Sequence, residues 1–208
     1  MDKIFQNLVL SYDRKADERD QYNASDWKKD LRWNLLEILN SEEKSTLIDI
    51  GAGTGVHAKF FLDHGFDVTC IDLSPANNQK CIEKGLDSSV LNVLDLKSLG
   101  QEYDCAFALN SLLHIPSHEL PTALSNISNI LKPDGVFYWG QYGGEYREGV
   151  YQDDHHDPKR FFSLLDDNQI NEFASRLFIP EKFDTITLDD ISPLHFQSIL
   201  ARKKAETL

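Results

Sequence analysis

The chain has 208 residues, of which 41% are hydrophobic and 11% aromatic, which is enough apolar material for one domain with a single core. Its 21 Lys and Arg face 34 Asp and Glu, and the net charge of −13 argues against a nucleic-acid partner, which requires a basic face. No run approaches the roughly 20 apolar residues of a membrane span, and the N-terminal residues lack a secretory signal pattern, so no membrane partner is expected.

The three cysteines are odd in number and show no paired spacing. Cys70 and Cys105 lie in apolar runs, where a free cysteine behaves as a small core residue. Unpaired cysteines are typical of a reducing compartment, and we therefore expect a cytoplasmic protein.

A polar N-terminal segment leads into an amphipathic helix over residues 26–39. Its apolar positions recur at helical spacing and should pack on a sheet: Trp27, Leu31, Leu35 and Ile38. The basic residues between them, Lys28, Lys29 and Arg32, are predicted to form a solvated face of this helix.

From about residue 46 onward, strand-like and helix-like patterns alternate, which predicts a parallel sheet wrapped by helices. The predicted strands cover residues 46–50, 67–71, 88–94, 103–109 and 136–140, and a closing antiparallel hairpin pairs 183–188 with 194–201. Ser74, Ser117 and Asp166 are the expected helix N-caps, and Gly65 ends the helix that starts near Gly55.

The strongest chemical signal joins the first strand to the helix after it, in the run Asp49-Ile50-Gly51-Ala52-Gly53-Thr54-Gly55. Glycines there let the backbone turn sharply and approach a ligand closely, and the free amides of the helix start favour an anion such as a carboxylate. The G-x-G-x-G spacing differs from the G-x-G-x-x-G of dinucleotide sites. A merely tight turn is the alternative interpretation.

Two acids follow the next strands. Asp72 ends the second strand, where a carboxylate can accept hydrogen bonds from both ribose hydroxyls of a nucleoside. Asp95 follows the third strand, where it can accept from an adenine amine. The alternatives are a helix-capping or surface aspartate at Asp72 and a solvent-facing loop acid at Asp95, but position favours the functional interpretation of both.

Further motifs follow in order along the chain, after the glycine run: Asp72-Leu73-Ser74-Pro75, Asp95, Tyr103-Asp104, Leu113-His114 and Leu131-Lys132-Pro133-Asp134-Gly135. Over about residues 46–140, the chain thereby resembles class I S-adenosylmethionine-dependent methyltransferases, especially the small-molecule enzymes that include the ubiquinone type. The resemblance implies an α/β fold with a Rossmann-like doubly wound sheet of seven strands, mostly parallel, in the order 3-2-1-4-5-7-6 with strand 7 antiparallel.

The resemblance also implies where S-adenosylmethionine would lie, with S-adenosylhomocysteine as its product. Loop 51–55 would hold the methionine part, Asp72 the ribose and Leu94-Asp95 the adenine. The remaining implied cofactor-binding residues flank these positions: Asp49, Leu73, Asn110 and Ser111, of which the last two would line the sulfonium side.

A downstream stretch resembles a subgroup of uncharacterised bacterial methyltransferases and names no substrate: Gln141-Tyr142-Gly143-Gly144, Glu148-Gly149, Asp154 and residues 158–163. We expect a single methyltransferase domain over residues 1–208. Its parts are an N-terminal helical cover (1–45), a cofactor-binding core (46–140), a lid or substrate loop (141–163), and a closing helix and hairpin (164–208).

The residues after the fourth strand limit the classes of methyl acceptor that we expect. Asn110-Ser111-Leu112-Leu113 lacks the prolines of the Asn-Pro-Pro-aromatic run in enzymes that methylate base amines. The paired glutamates of protein arginine methyltransferases are not visible, and neutral Asn110 replaces the magnesium-binding acid of catechol-type enzymes. We therefore expect a small-molecule acceptor and no metal.

The implied reaction is a direct displacement at the sulfonium methyl, in which the protein aligns the nucleophile and excludes water. Only a protonated nucleophile needs a general base, for which the candidates are His114, Tyr142, Asp154 and His155. His114 could instead pack structurally beside the cofactor, and Tyr142 could be a rim aromatic.

Two further segments carry candidate residues. The run 153–157 invites a metal interpretation, but adjacent loop residues rarely converge on one ion, so a solvated loop or a lid is favoured.

Tyr12, Tyr22 and Trp27 could cover the cofactor cleft, where Tyr12 and Trp27 could stack on substrate or close over the sulfonium. Packing against the sheet is the simpler role for Trp27.

The predicted function is methyl transfer to an oxygen, nitrogen or carbon nucleophile, and two alternative functions remain. One is a methyltransferase fold that binds the cofactor as a sensor or scaffold without transfer. The other is a nicotinamide-dependent oxidoreductase, against which the glycine spacing speaks. The sequence leaves both a monomer and a homodimer open.

Overall fold

The computed structural model describes residues 2–21, 24–188 and 193–205, so the predicted role of Tyr22 falls outside it. The helices are α1 Lys3–Asp13, α2 Ala16–Asp20, α3 Asp26–Ser41, α4 Val56–Asp63, α5 Pro75–Glu83, α6 Leu120–Asn129 and α7 Asp167–Leu177. The strands are β1 Thr46–Ile50, β2 Asp67–Asp72, β3 Asp87–Val90, β4 Tyr103–Leu109, β5 Leu131–Gly143, β6 Arg147–Val150, β7 Phe161–Leu164, β8 Phe178–Thr187 and β9 His195–Lys203. None of the described helices has the length and apolar character of a membrane span.

The main sheet has seven strands in the order β3-β2-β1-β4-β5-β9-β8. The first five run parallel, and β9 pairs antiparallel with both β5 and β8. Strands β8 and β9 are the sixth and seventh strands of the predicted order, because the short hairpin β6–β7 stands apart as a second sheet. The predicted α/β class, strand order and closing hairpin are confirmed.

The two faces of the sheet are covered by different helices. In β4, Cys105 and Phe107 point to a cluster with α3, α4 and α5, whereas Ala106 and Ala108 point to a cluster with α6 and α7. This alternation follows from the two-residue period of a strand, and burial on both faces explains why β4 is apolar almost throughout. The predicted core position of Cys70 is also confirmed, since it is fully buried.

Several predicted helix ends are confirmed by their hydrogen bonds. The Ser74 side chain accepts from the Asn77 backbone at the start of α5, and Pro75 is the first residue of that helix. Asp166 caps α7 in a capping box with Gln169. Gly65 follows α4 with a φ of +90°, the left-handed conformation that glycine adopts readily.

Other boundaries were wrong. Ser117 does not cap α6, because that helix begins at Leu120. The backbone N–H and the hydroxyl of Ser117 instead donate to the Glu148 carboxylate. The third strand ends at Val90, and residues Val93–Leu99 form 3-10 turns because the Asn92 side chain accepts from the Leu94 backbone and redirects the chain.

The N-terminal segment is more helical than its polar composition indicates. Helix α1 contributes Phe5 to the core, and Asp13 at its end accepts hydrogen bonds from Ser74 and from the Ala76 backbone. A carboxylate at that position is favoured by the dipole at the start of α5. Helix α3 is confirmed, and Leu35 and the partly buried Leu31 pack in the core as expected. The helix also buries Leu36 and Leu39, which were not among the predicted positions, whereas Ile38 is only partly buried.

Truncation of the α7 cap tests this account of the fold. Asp166→Ala removes the carboxylate that accepts from the Gln169 backbone, and the free energy of unfolding should fall by about 0.5–2 kcal/mol in urea titrations. Asp153→Ala, at an exposed loop aspartate, is the control and should leave the midpoint unchanged. Equal stability of the two variants would contradict the capping role.

Candidate functional site

A cavity of about 710 Å³ opens along the carboxyl edge of the parallel strands. Its walls come from α1, the ends of β1, β2, β4 and β5, and the β6–β7 hairpin. The predicted site residues that line it are Tyr12, Asp49, Gly51, Ala52, Gly53, Thr54, Asp72, Leu73, Asn110, Ser111, His114 and Tyr142. Trp27, Gly55, Leu94 and Asp95 are not among the lining residues.

The glycine turn brings the ends of β1 and β4 into close approach. Gly51 has a φ of +72°, and a Cβ atom there would lie 2.3 Å from the Cβ of Ser111. Gly55, with a φ of +81°, faces away from the cavity, where a Cβ would lie 2.6 Å from Leu86 and 3.0 Å from the Cys81 sulfur. Gly51 therefore shapes the cavity wall, whereas Gly55 lets the start of α4 pack closely against α5.

The Asp72 carboxylate joins three segments at the base of the cavity. One oxygen accepts from the Gly53 backbone at 2.8 Å, and the other accepts from the Ser74 backbone at 2.8 Å and the Asn77 amide at 3.3 Å. Burial raises the pKa of Asp72, and these hydrogen bonds oppose the rise. Because a carboxylate has about four acceptor positions, three protein donors leave room for one more.

Asp49 lies behind the glycine turn and is almost fully buried. Burial, and then the neighbouring Cys81 and Asp72, raise its pKa well above the usual value, while a hydrogen bond from the Ala58 backbone opposes the rise. Ala58 lies in the first turn of α4, so Asp49 already occupies the helix start that the sequence assigned to a ligand anion.

The turn after β4 presents polar atoms without partners. Asn110 has a φ of +56°, a conformation in which asparagine is enriched among residues other than glycine. Within the described ranges, its buried Oδ1 and the buried hydroxyl of Ser111 have no hydrogen-bond partner. Both residues line the cavity, so these atoms are available to a bound molecule.

The far end of the cavity, beyond β2, is formed by residues just before the predicted adenine contacts. Leu91, Asn92 and Val93 line this end together with Leu73. Leu94 and Asp95 lie in the 3-10 turns that follow, which the Asn126 amide holds by donating to the Val93 and Leu94 carbonyls.

A hydrogen-bonded chain crosses the cavity roof. The Nδ1 of His114 lies 2.8 Å from the Phe161 carbonyl, which can only accept, so this nitrogen carries the proton. The Nε2 atom then accepts from the Tyr12 hydroxyl at 2.8 Å. Burial, together with nearby Arg160 and Arg19, lowers the pKa of His114 to about 3, so the imidazole is neutral and both nitrogens are engaged.

Arg160 anchors the other end of this chain. It donates to the Tyr12 hydroxyl at 3.0 Å and to both oxygens of Asp154 at 2.9 Å. Although burial would raise the pKa of Asp154, the hydrogen bonds from Arg160 outweigh it and hold this group as a carboxylate. His155 is exposed and lies outside the cavity lining.

Residues 153–157 were expected to form a solvated loop or a lid, and the solvated-loop interpretation is wrong for two of them. The Asp154 side chain is only 4% exposed, and His156 lines the cavity. His156 packs edge-on against Tyr12 at 5.6 Å and hydrogen bonds to the Ser11 hydroxyl at 2.9 Å. The β6–β7 hairpin thus rests on the end of α1. No group of three or more His, Cys, Asp or Glu within residues 2–21, 24–188 and 193–205 is placed to hold a metal.

The prediction of a solvated basic face on α3 is wrong for Lys28, which lines the cavity. Its ammonium donates to the Tyr142 hydroxyl at 3.3 Å and lies 5.1 Å from the Trp27 ring centre. Burial, and then Arg19, lower the pKa of Lys28 to about 8. Trp27 packs on Phe196 at 4.7 Å, as its simpler predicted role requires.

Some contacts at the cavity had no usable signal in the sequence. Arg160 and Tyr12 are 148 positions apart, and nothing local indicates that they meet. Arg19 also lines the cavity, without a motif of its own. For Lys28, the sequence does hold an indication of partial burial. Lys28 follows Trp27, which is predicted to face the core, and a helix position beside a core-facing one is only partly solvated.

The neutral His114 has a consequence for stability. Between pH 6.5 and 3 the unfolded chain binds a proton at this residue and the folded protein does not, so the unfolding free energy should fall as the pH falls. His114 contributes up to about 1.4 kcal/mol per pH unit in this range. In urea titrations from pH 6.5 to 4, His114→Phe should show a shallower decline than the wild type.

The control is His118→Phe, since His118 is exposed and its imidazole stays in water in both states. Parallel pH profiles for wild type and His114→Phe would show that the buried imidazole is not excluded from protonation in the folded protein.

A malonyl-[acyl-carrier protein] O-methyltransferase of Acetivibrio thermocellus is 28% identical over 143 residues, which are 65% of this chain and 49% of that protein. A glycine/sarcosine/dimethylglycine N-methyltransferase of Actinopolyspora halophila is 30% identical over 124 residues, or 53% of this chain and 22% of that protein. The chain thus spans about half of the first relative and about a fifth of the second.

Among solved structures, the 1,6-didemethyltoxoflavin-N1-methyltransferase of Burkholderia thailandensis has a similar fold, and it was crystallised with 1,6-didemethyltoxoflavin and S-adenosylhomocysteine. The TM-score is 0.74 at 22% identity, over 97% of this chain and 87% of that one. The family model described as a methyltransferase domain matches residues 17–179. Since this match covers well over half of its length, the chain belongs to the methyltransferase-domain family.

Proposed function

We propose that this chain transfers a methyl group from S-adenosylmethionine to a small-molecule acceptor. The observation that carries the proposal is a continuous cavity that runs past Asp72, the glycine turn and Asn110 to Tyr142. These positions lie at the ends of β2, β1, β4 and β5, which are neighbours in the sheet, so one extended ligand and an acceptor fit side by side along its edge.

The residues present fit this cofactor. We propose that Asp72 uses its remaining acceptor position for a ribose hydroxyl and that Leu73, Leu91 and Val93 pack around the base. The unpartnered oxygens of Asn110 and Ser111 would accept from the ammonium group of the methionine part or contact the sulfonium side. Gly51 and Gly53 keep the turn free of side chains where the methionine part would pass.

The cofactor, when bound, supplies a methyl group that is already activated by the sulfonium charge. The protein therefore has to orient the acceptor and keep water out. We propose that Tyr12 is the residue that contacts the acceptor, because it lines the cavity and its hydroxyl is held by Arg160 and His114. On this view His114 is a positioning residue rather than a base, since its Nε2 lone pair is engaged with Tyr12.

The names of the relatives leave the acceptor atom open, since one methylates oxygen and another nitrogen. A nicotinamide-dependent oxidoreductase is disfavoured by the glycine spacing. We further propose that the protein works in the cytoplasm, in keeping with three free buried cysteines. A monomer and a homodimer both fit this function.

Calorimetry and a transfer assay test the proposal. The wild type should bind S-adenosylhomocysteine and not NAD. Incubation with S-adenosylmethionine that carries a deuterated methyl group and a metabolite extract should give a product with the label, detected by mass spectrometry. Binding of NAD alone would overturn the assignment, and cofactor binding without any labelled product from several extracts would favour the sensor.

A change at the proposed ribose contact has a defined expectation. Asp72→Ala should weaken S-adenosylhomocysteine binding by about 1.5–3 kcal/mol, because a hydrogen bond to a charged group and the tie to Gly53 are both lost. Asp72→Asn keeps one acceptor oxygen and should lie between this variant and the wild type. The matched control is Asp67→Ala, an exposed position at the opposite end of the same strand. Unchanged affinity in a folded Asp72→Ala protein would refute the ribose role.

A further inference from the structure

Two lysines line the cavity, and only one of them has a counter-ion among the described residues. Lys15, which also lines the cavity, pairs with Glu18 at 2.5 Å, and Lys29 pairs with Asp26 at 2.8 Å. Lys28 donates to the Tyr142 hydroxyl, and no Asp or Glu of the described residues forms an ion pair with it. An ammonium group has three donors, so Lys28 has donors left for a ligand.

The missing counter-ion of Lys28 does not reflect a shortage of acidic residues, because the chain has 34 acidic residues and only 21 basic ones. A half-buried ammonium group that faces a second cation, Arg19, is destabilised by lost hydration and by repulsion, and both effects lower its pKa to about 8. An anion bound in the cavity would relieve both. The arrangement is therefore that of a binding group, since a lysine kept only for packing would be better neutralised or replaced by an apolar residue.

The position of Lys28 along the sheet edge indicates which ligand it serves. Its contact Tyr142 is at the end of β5, and β4 separates β5 from the glycine turn that follows β1. Asp72, the proposed ribose contact, lies one strand further on. The cofactor would extend from the end of β2 to the end of β4, so the end of β5 is left for the acceptor.

The surroundings of Lys28 define the chemistry of that acceptor. One ammonium group balances one negative charge, and the donors left on Lys28 suit the two oxygens of a carboxylate. The Tyr142 ring lies 5.3 Å from its nitrogen, and the cavity is also lined by Leu109 at the end of β4 and by Leu113 in the loop that follows. These side chains offer an apolar wall to the body of a ligand whose charged group is on Lys28.

Building on the proposed methyl transfer, we propose that the acceptor is a small carboxylic acid with an apolar or aromatic body, and that Lys28 binds its carboxylate at the β5 end of the cavity. Lys28 thereby determines specificity: it holds the acid group and so turns the nucleophilic atom of the acceptor toward the turn after β4. A neutral analogue of the same shape leaves the ammonium unpaired and binds more weakly.

Matched acids and amides test the proposal on protein saturated with S-adenosylhomocysteine. The probes are phenylacetate with phenylacetamide and benzoate with benzamide, titrated by calorimetry and by the ¹³Cε–Hε NMR signal of Lys28. The wild type should bind each acid about tenfold or more tightly than its amide, since one hydrogen bond to a charged group accounts for that ratio. In Lys28→Met the acid should fall to the affinity of the amide, and Lys28→Arg should retain the preference.

Two comparisons separate this proposal from its rivals. Lys29→Met, at a residue already paired with Asp26, should keep the full preference for acids. Affinity for S-adenosylhomocysteine should be the same in Lys28→Met and wild type within about twofold, whereas a loss of about tenfold would show that Lys28 holds the carboxylate of the cofactor and would overturn the proposal. Equal binding of acids and amides by the wild type would also overturn it.

The same titrations distinguish failure of this proposal from failure of the proposed function. If the wild type does not bind S-adenosylhomocysteine, the cofactor assignment is wrong, and the preference for acids is then measured on the ligand-free protein.

A metabolite extract divided on an anion exchanger before the transfer assay gives a further test. The labelled product should arise from the retained, acidic fraction, and a product only from the unretained fraction would contradict a carboxylic acid acceptor.

Discussion

The site depends on one buried carboxylate that ties three segments of chain together. Asp72 accepts from Gly53 in the turn after β1, from Ser74 at the cap of α5 and from Asn77 within that helix. These bonds offset the unfavourable burial of the charge, and they hold the glycine turn against the end of β2. The close approach of Gly51 to Ser111 then brings in the turn after β4, so the floor of the cavity is built from three adjacent strand ends.

Much of the core could be predicted because its signals are local. Strands β1 and β4 were predicted with the observed bounds, since each is a short apolar run between polar turns. The caps at Ser74 and Asp166 were recognisable because capping is decided by residues within one helical turn. The strand order came from the family resemblance, as no local pattern determines which strands become neighbours.

The errors concern residues whose surroundings come from elsewhere in the chain. Ser117 has the right chemistry for a cap, but Glu148 on the β6–β7 hairpin competes for it. Lys28 was assigned to solvent because helical periodicity does not reveal that the cavity lies beside this face of α3. The chain from Asp154 through Arg160 and Tyr12 to His114 joins distant segments, and only the fold brings them into contact.

The contact between α1 and the β6–β7 hairpin affects how ligands enter and leave. Tyr12 is held by His114 and Arg160, and His156 is held by Ser11, so side chains that line the chamber also fasten its roof. Separation of the hairpin from α1 would break these bonds together, so opening at this contact would be a cooperative event rather than the swing of one side chain. Collective motions of this kind take microseconds to milliseconds.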